Sequence, residues 1–232
     1  MHKKMENQEC YVAFLDLLGF SNYVLSHDFE DVKKLFDLFE DCRAKLYEDK
    51  CAWESEYDIF ADKSIVYIMS DSVVLAIPKD VNNALSFLVK WCAIIQRKML
   101  LEYEITVRGG ISVGEYYQDE EQAFGKGFVR AASLEKGCAK VPRIILDNSL
   151  LECDSTGLTL DEDYGDEGHR YKFVDYLDVS YLTKSEIDKV TVFADKSLKE
   201  LKSQTEKYEW LKKKIIKSRD LLEQLEEQYE GP

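Results

Sequence analysis

The sequence predicts an α+β fold: a split β-α-β sheet with additions, followed by a long C-terminal helical extension. Two patterns carry that prediction. Apolar runs rich in branched and aromatic residues alternate with segments whose apolar residues recur at three and four, in the order strand, helix, hairpin, helix, strand. From Ser185 onward the composition turns to Lys, Glu and Leu with a seven-residue repeat.

Tyr11 to Leu18 has the composition of a central strand and ends at Gly19-Phe20. Val32, Leu35, Phe36, Leu38, Phe39, Cys42 and Leu46 mark one face of a helix, with acidic residues crowding its start, where the helix dipole favours them. Ser64 to Ile77 holds two apolar strands hinged at Ser70-Asp71-Ser72, a hairpin that Pro78 closes. Val81 to Leu101 is a second amphipathic helix. Ile105 to Val113 is a strand containing Gly109-Gly110, and glycine inside a strand marks a bulge or a close backbone approach. Phe124 to Ala139 is a third helix, and Arg143 to Leu146, after Pro142, a further strand. This succession is the ferredoxin-like plan with additions. Asn148 to Arg170 is polar, acidic and glycine-bearing and reads as a loop-rich excursion; its residues lack the glycine and glutamate spacing of an EF-hand.

The change at Ser185 divides the chain into a domain over 1–182 and an extension over 183–232. Ile187, Ala194, Leu201, Tyr208, Ile215, Leu222 and Tyr229 recur every seven residues, and Leu198, Leu211 and Leu225 fill part of the second seam. Other second-seam positions are Lys, Arg or Thr. That pattern predicts a helix or helical hairpin packed on its own domain or on a second copy, rather than a long autonomous coil.

The chain of 232 residues, 45% hydrophobic and 12% aromatic, can bury one core plus an appendage. A formal net charge of -14 argues against nucleic acid or an anionic membrane as the partner. A polyanionic small molecule would need local Lys, Arg or metal ions. The opening "MHKKMENQEC" is polar, without the apolar segment of a signal peptide, and no apolar stretch has the length of a membrane span. The six cysteines are scattered, with no CxxC and no zinc spacing. Reduced thiols and a cytoplasmic location are expected.

Two carboxylates break this plan. Asp16 sits inside "YVAFLDLLGF" and Asp71 inside "VYIMSDSVVLA". A buried carboxylate without a partner is costly or becomes neutral. In a split β-α-β sheet the first strand and the hairpin are adjacent, so the two acids can stand side by side at the sheet edge. Held there they repel unless a cation lies between them, and magnesium or manganese takes carboxylate oxygens plus substrate phosphates. Backbone amides around Leu18, Gly19 and Phe20 would then cradle the phosphates.

"FLDLLGF", "MSDSVVLA", "VRGGISVGEYY" and "FGKGFVRAASLEKGCAKVPRIIL" together resemble the catalytic-domain signature of class III nucleotidyl cyclases. The likeness is to the divergent bacterial form associated with the Pycsar anti-phage systems, over roughly residues 10 to 180. It implies two divalent metal ions, manganese or magnesium, held by Asp16, Asp71 and the Leu17 carbonyl. It implies a nucleoside triphosphate substrate, sites built by a homodimer, and a product that acts on a separate effector protein.

The departures are specific. Adenylyl cyclases carry an asparagine four residues, and a transition-state arginine eight residues, after a helix-leading glycine; from Gly125 these places are Val129 and Ser133. Arg130 shares a helix face with Ser133 and is the expected substitute, supplied across the dimer. Arg108 reads as structural. Lys126, Lys136, Lys140 and Arg143 make this region locally basic, which suits a triphosphate. The lysine and aspartate that read adenine are replaced by Tyr67 and Gln122. The bulk of Tyr67 favours a single-ring base, and the Gln122 amide can face uracil or cytosine. UTP, or CTP, is the substrate the resemblance implies. A purine cyclase and an inactive nucleotide-binding scaffold are the alternatives; nothing reads as the GGDEF signature of diguanylate cyclases.

Overall fold

The computed structural model describes residues 4–48, 54–150, 157, 159–164 and 170–229. The chain runs β1 (Met5–Leu18), α1 (Phe20–Ser26), α2 (Phe29–Glu48), α3 (Glu54–Lys63), β2 (Ile65–Met69), β3 (Ser72–Pro78), α4 (Ala84–Tyr103), β4 (Thr106–Gln118), β5 (Ala123–Phe124), α5 (Lys126–Cys138), β6 (Ile144–Leu146), β7 (Thr159–Tyr164), β8 (Arg170–Val174), α6 (Lys184–Glu200) and α7 (Thr205–Tyr229). The described strands form one sheet in the order β2-β3-β1-β4-β6-β8-β7, with β5 folded back on β4. Within it β2-β3-β1-β4 pair antiparallel, the ferredoxin-like split β-α-β core of the predicted α+β fold. β6 then adds in parallel to β4.

β1 is apolar because both of its faces are covered. Ala13, Leu15 and Leu17 join the large core with Leu35 and Phe39 of α2 and Leu88 and Trp91 of α4. Cys10 and Val12 face the opposite layer, with Val74, Ala76 and Tyr116, and Phe14 meets Phe128 of α5 at a ring separation of 5.8 Å. By alternation Asp16 belongs to this second face.

The glycine pair in β4 serves close approach on both sides. A Cβ at Gly109 would lie 2.4 Å from the Phe14 carbonyl oxygen of β1, and one at Gly110 would lie 2.4 Å from the Ala131 carbonyl oxygen of α5. At Gly114 it would meet the Gly127 nitrogen at 2.8 Å, and Ser112 Oγ donates to the Gly127 carbonyl at 2.6 Å. α5 therefore lies directly on the β4 backbone.

Several boundaries differ from the sequence reading. β1 and β4 extend well beyond Tyr11 and Val113, because their outer halves pair with each other from Met5–Gln118 inward. The excursion over 148–170 is not loop throughout: β7 lies within it and pairs with β8. Its acidic residues Asp161, Glu162 and Asp163 belong to β7, where charge obscures the strand signal. The extension is a helical hairpin on its own domain. A Thr183–Glu186 capping box starts α6, and Ile187, Val190, Phe193, Ala194, Tyr208, Leu211 and Ile215 enter the same core as Leu15 and Leu17. Among the described residues no helix is long and apolar enough to cross a membrane.

Candidate active site

The β1 end and the β2-β3 hairpin meet as the sequence requires. Asp16 lies opposite Ser72 of β3 on one side and Arg108 of β4 on the other. The Leu17 N–H donates to the Asp71 carbonyl at 2.8 Å, so the hairpin tip is tied beside Asp16. A paired residue in an antiparallel ladder directs its N–H and C=O to the same neighbour, so the Leu17 carbonyl also leaves β1 on the Asp71 side. The tip needs a left-handed residue, and Ser70 supplies it at φ 58°. After Leu18 the chain turns at Gly19, φ 95°, where glycine is favoured. Phe20 is buried against Phe36 at 5.5 Å. α1 is only seven residues long, so any phosphate held here would rely on loop amides more than on a helix dipole.

Asp16 is not alone. Arg108 Nε donates to Asp16 Oδ2 at 2.7 Å and stands 2.8 Å from Glu135 Oε1 of α5. Nε carries one hydrogen, which goes to Asp16; the contact with Glu135 is an ion pair without hydrogen-bond geometry, and Oε1 is a buried acceptor with no donor. The side chains are 18% (Asp16), 27% (Arg108) and 9% (Glu135) exposed. Burial pushes the Glu135 carboxyl up; Arg108 opposes this and the Asp16 charge adds to it. Lys207 of α7 feels the charges of the same cluster. Its ammonium is drawn down by burial and by Arg108, and the Asp16 charge pulls the other way. Sequence reasoning missed this cluster. It took Arg108 as structural, and neither Glu135 nor Lys207 stands out, because each is an ordinary helix residue until the fold sets Glu135 against Arg108 of β4 and brings the Lys207 charge within their field.

The donor set fits a hard divalent cation. Both carboxylates are acceptor-only oxygens. Among the described residues the Asp71 side chain makes no hydrogen bond or ion pair, and Asp16 commits only Oδ2. No group of three or more His, Cys, Asp or Glu side chains suited to a metal occurs among them, so backbone and substrate oxygens would have to complete the shell.

The other expected residues lie elsewhere. Tyr67 shares the second face, packing near Phe14 and Phe128, and its hydroxyl donates to the Glu121 carbonyl at 3.4 Å. Gln122 is exposed in the turn that follows, where Asp119 accepts from the Glu121 and Gln122 N–H groups at 2.9 Å each. The fold thus brings Tyr67 beside the turn that holds Gln122. These bonds and the Tyr117 hydroxyl hold the Asp119 carboxyl down to about 2, the Glu121 N–H foremost. Arg130 is exposed and donates to the Val113 carbonyl at 3.3 Å. Val113 lies five residues beyond Arg108 along β4, roughly 17 Å at about 3.4 Å per residue, so Arg130 is remote from its own Asp16. It lines a cavity of about 720 Å³ with Tyr117, Phe124 and Val129. The basic residues do not converge: Lys126 pairs with Glu115 at 3.0 Å, and Arg143 is buried, donating to the Cys138 carbonyl at 3.1 Å.

No protein-family model matches the chain, and no curated protein matches it. Some solved structures are similar to it at low identity. The catalytic core of a rhodopsin-guanylyl cyclase with converted specificity, in complex with ATPαS, is 16% identical over 74% of this chain and 96% of that one, with TM-score 0.47. The dimeric guanylyl cyclase domain of the RhoGC fusion protein from the aquatic fungus Blastocladiella emersonii is 15% identical over 75% and 97%, with TM-score 0.45. The adenylyl cyclase CyaB from P. aeruginosa is 11% identical over 73% and 94%, with TM-score 0.42. Likeness at this level carries no argument, and the chemistry has to be read from the residues.

Proposed function

We propose that the chain is a metal-dependent nucleotidyl cyclase of class III type that converts UTP, or CTP, to the 3',5'-cyclic monophosphate and pyrophosphate. The observation that carries this reading is the Asp16–Asp71 juxtaposition: one carboxylate on β1 and one in the β2-β3 turn beside it, tied by the Leu17–Asp71 backbone bond, with the Asp71 side chain lacking a partner among the described residues. In the reaction the ribose 3'-oxygen bonds to the α-phosphorus, the bond from α-phosphorus to the bridging oxygen breaks, pyrophosphate leaves, and the hydroxyl proton passes to solvent. Two bound divalent ions, manganese or magnesium, would supply activation of the hydroxyl and charge neutralisation of the triphosphate. Asp16, Asp71 and the Leu17 carbonyl hold them, and the loop amides of Leu18, Gly19 and Phe20 meet phosphate oxygens. Arg130, distant from its own Asp16, serves the site of a second copy in a homodimer. Tyr67 and Gln122 frame the base. The product is a second messenger for a separate effector in anti-phage defence.

A second reading has its own support. The Asp16–Arg108 contact leaves one acid already neutralised, as in a nucleotide-binding scaffold without turnover. Incubating the purified chain with each ribonucleoside triphosphate and manganese, and identifying products, separates the two. Cyclic UMP or cyclic CMP is expected. Cyclic AMP or GMP formed faster sinks the pyrimidine assignment, and no product from any triphosphate favours the scaffold. Asp71→Ala should abolish product while the protein stays folded, because an unpartnered charge has been removed.

A further inference from the structure

The Arg108 guanidinium has two acceptors for one Nε hydrogen. Asp16 Oδ2 at 2.7 Å receives it, and Glu135 Oε1 at 2.8 Å does not, although that oxygen is buried without a donor. An unsatisfied buried carboxylate oxygen is costly, so its retention here calls for a state in which it is used. Glu135 cannot drift away from Arg108, because α5 is seated on β4 through Gly110, whose absent side chain leaves room for Ala131 and Leu134.

A divalent ion at Asp16 and a guanidinium on the same carboxylate are like charges within a few ångströms, so one displaces the other. Arg108 has few places to go. The positive charge of Lys207 acts on the same groups, and Lys207 makes no ion pair among the described residues. Glu135 is the anion within reach, and the two oxygens lie so close to Nε that a small rotation moves the hydrogen bond from one to the other.

We propose that Glu135 is a positioning residue that receives the Arg108 guanidinium when a divalent cation takes Asp16. The inference rests on the reading of Asp16 as a metal ligand. In the metal-free protein Arg108 occupies the place of the cation and holds Asp16 in its final position. When metal binds, the guanidinium passes to Glu135, and the buried acceptor acquires its donor. Glu135 does not touch the metal; it sets the free energy of clearing Asp16.

The test is manganese binding to the full-length chain without nucleotide, followed by the electron paramagnetic resonance of free manganese and by calorimetry. Glu135→Gln keeps the shape and removes the charge that receives Arg108. Manganese affinity is expected to fall about 10–100-fold, the range for residues that support a metal ligand from behind. Arg108→Met removes the competing cation and is expected to bind manganese more tightly than wild type. In the Arg108→Met background Glu135→Gln is expected to change affinity by less than about twofold, since nothing is left to hand over. Three results would overturn the handover: unchanged affinity in Glu135→Gln, equal loss with and without Arg108, or no gain in Arg108→Met. If wild-type binding is absent, or persists unchanged in Asp16→Asn, the metal reading falls and the handover with it. Circular dichroism of each variant confirms that a loss of binding is not a loss of fold. The Arg108→Met measurement stands even where Glu135→Gln folds poorly.

Discussion

Gly110→Ala tests the contact that seats α5 on β4. The new Cβ would stand 2.4 Å from the Ala131 carbonyl oxygen and 2.7 Å from Leu134 Cβ. Ordinary heavy-atom contact begins near about 3.5 Å, so roughly 1 Å of separation must be found. One obstacle is backbone, which cannot rotate aside as a flexible side chain does. Overpacking of this kind costs about 1–3 kcal/mol, and the clash with helix backbone puts this case near the top of that range. For a domain of this size about 2–4 °C is lost per kcal/mol, so Tm should fall by roughly 6–12 °C in thermal unfolding followed by circular dichroism. Gly137→Ala in the same helix is the control. A Cβ there meets nothing within 4 Å, and alanine is favoured over glycine in a helix by about 0.5–1 kcal/mol, so Tm should rise. A Gly110→Ala protein that melts within about 1 °C of wild type, against that expected loss, would refute the seating of α5, and with it the fixed place of Glu135.

Arg130→Ala should lower kcat by about 100-fold or more with little change in KM if its charge meets the transition state of a second copy. Its stability should stay within about 0.5 kcal/mol of wild type because the side chain is exposed; an unchanged kcat returns Arg130 to a surface role. Tyr67→Ala should reduce the preference for pyrimidine over purine triphosphates, read as the ratio of kcat/KM values, and a ratio equal to wild type removes Tyr67 from base recognition. Asp119 has a folded pKa of about 2, held down first by the Glu121 N–H and then by Tyr117 and Gln122. Its unfolded value is higher, about 3.9, so the turn it organises is stabilised above that pH and loses the contribution as pH falls through the folded value. A carboxyl carbon titration by NMR should find a midpoint near 2, and one near the unfolded value would show that the turn bonds do not form.

The α+β core was legible because its elements follow simple periods. β1, the β2-β3 hairpin and α4 are long or clean enough for apolar spacing alone to mark them. Gly109-Gly110 announced a close approach, and the structure adds that each glycine serves a different neighbour. β7 was not legible, because an acidic strand looks like a loop until β8 pairs with it. At the candidate site Asp16 and Asp71 stood out because carboxylates in apolar runs violate the pattern around them. Arg108, Glu135 and Lys207 violate nothing locally; their meaning arises from strand register and from the seating of α5 and α7. The basic stretch from Lys126 to Arg143 misled for the complementary reason: charges close in sequence point to different partners once helix and strand diverge.

The placement of α7 has a consequence for how the molecule is made. Tyr208, Leu211 and Ile215 complete the same core that Leu15 and Leu17 of β1 begin, and Lys207 feels the charges of the cluster around Asp16. Contacts between such distant parts of a chain must meet the entropy cost of closing the intervening loop. While residues beyond 200 are still within the ribosome, a nascent chain carries β1 and the hairpin but not the α7 residues that complete their core. The core around β1 is therefore incomplete until synthesis has passed α7. A chain truncated at residue 183 would leave Leu15 and Leu17 without the packing that Tyr208, Leu211 and Ile215 supply.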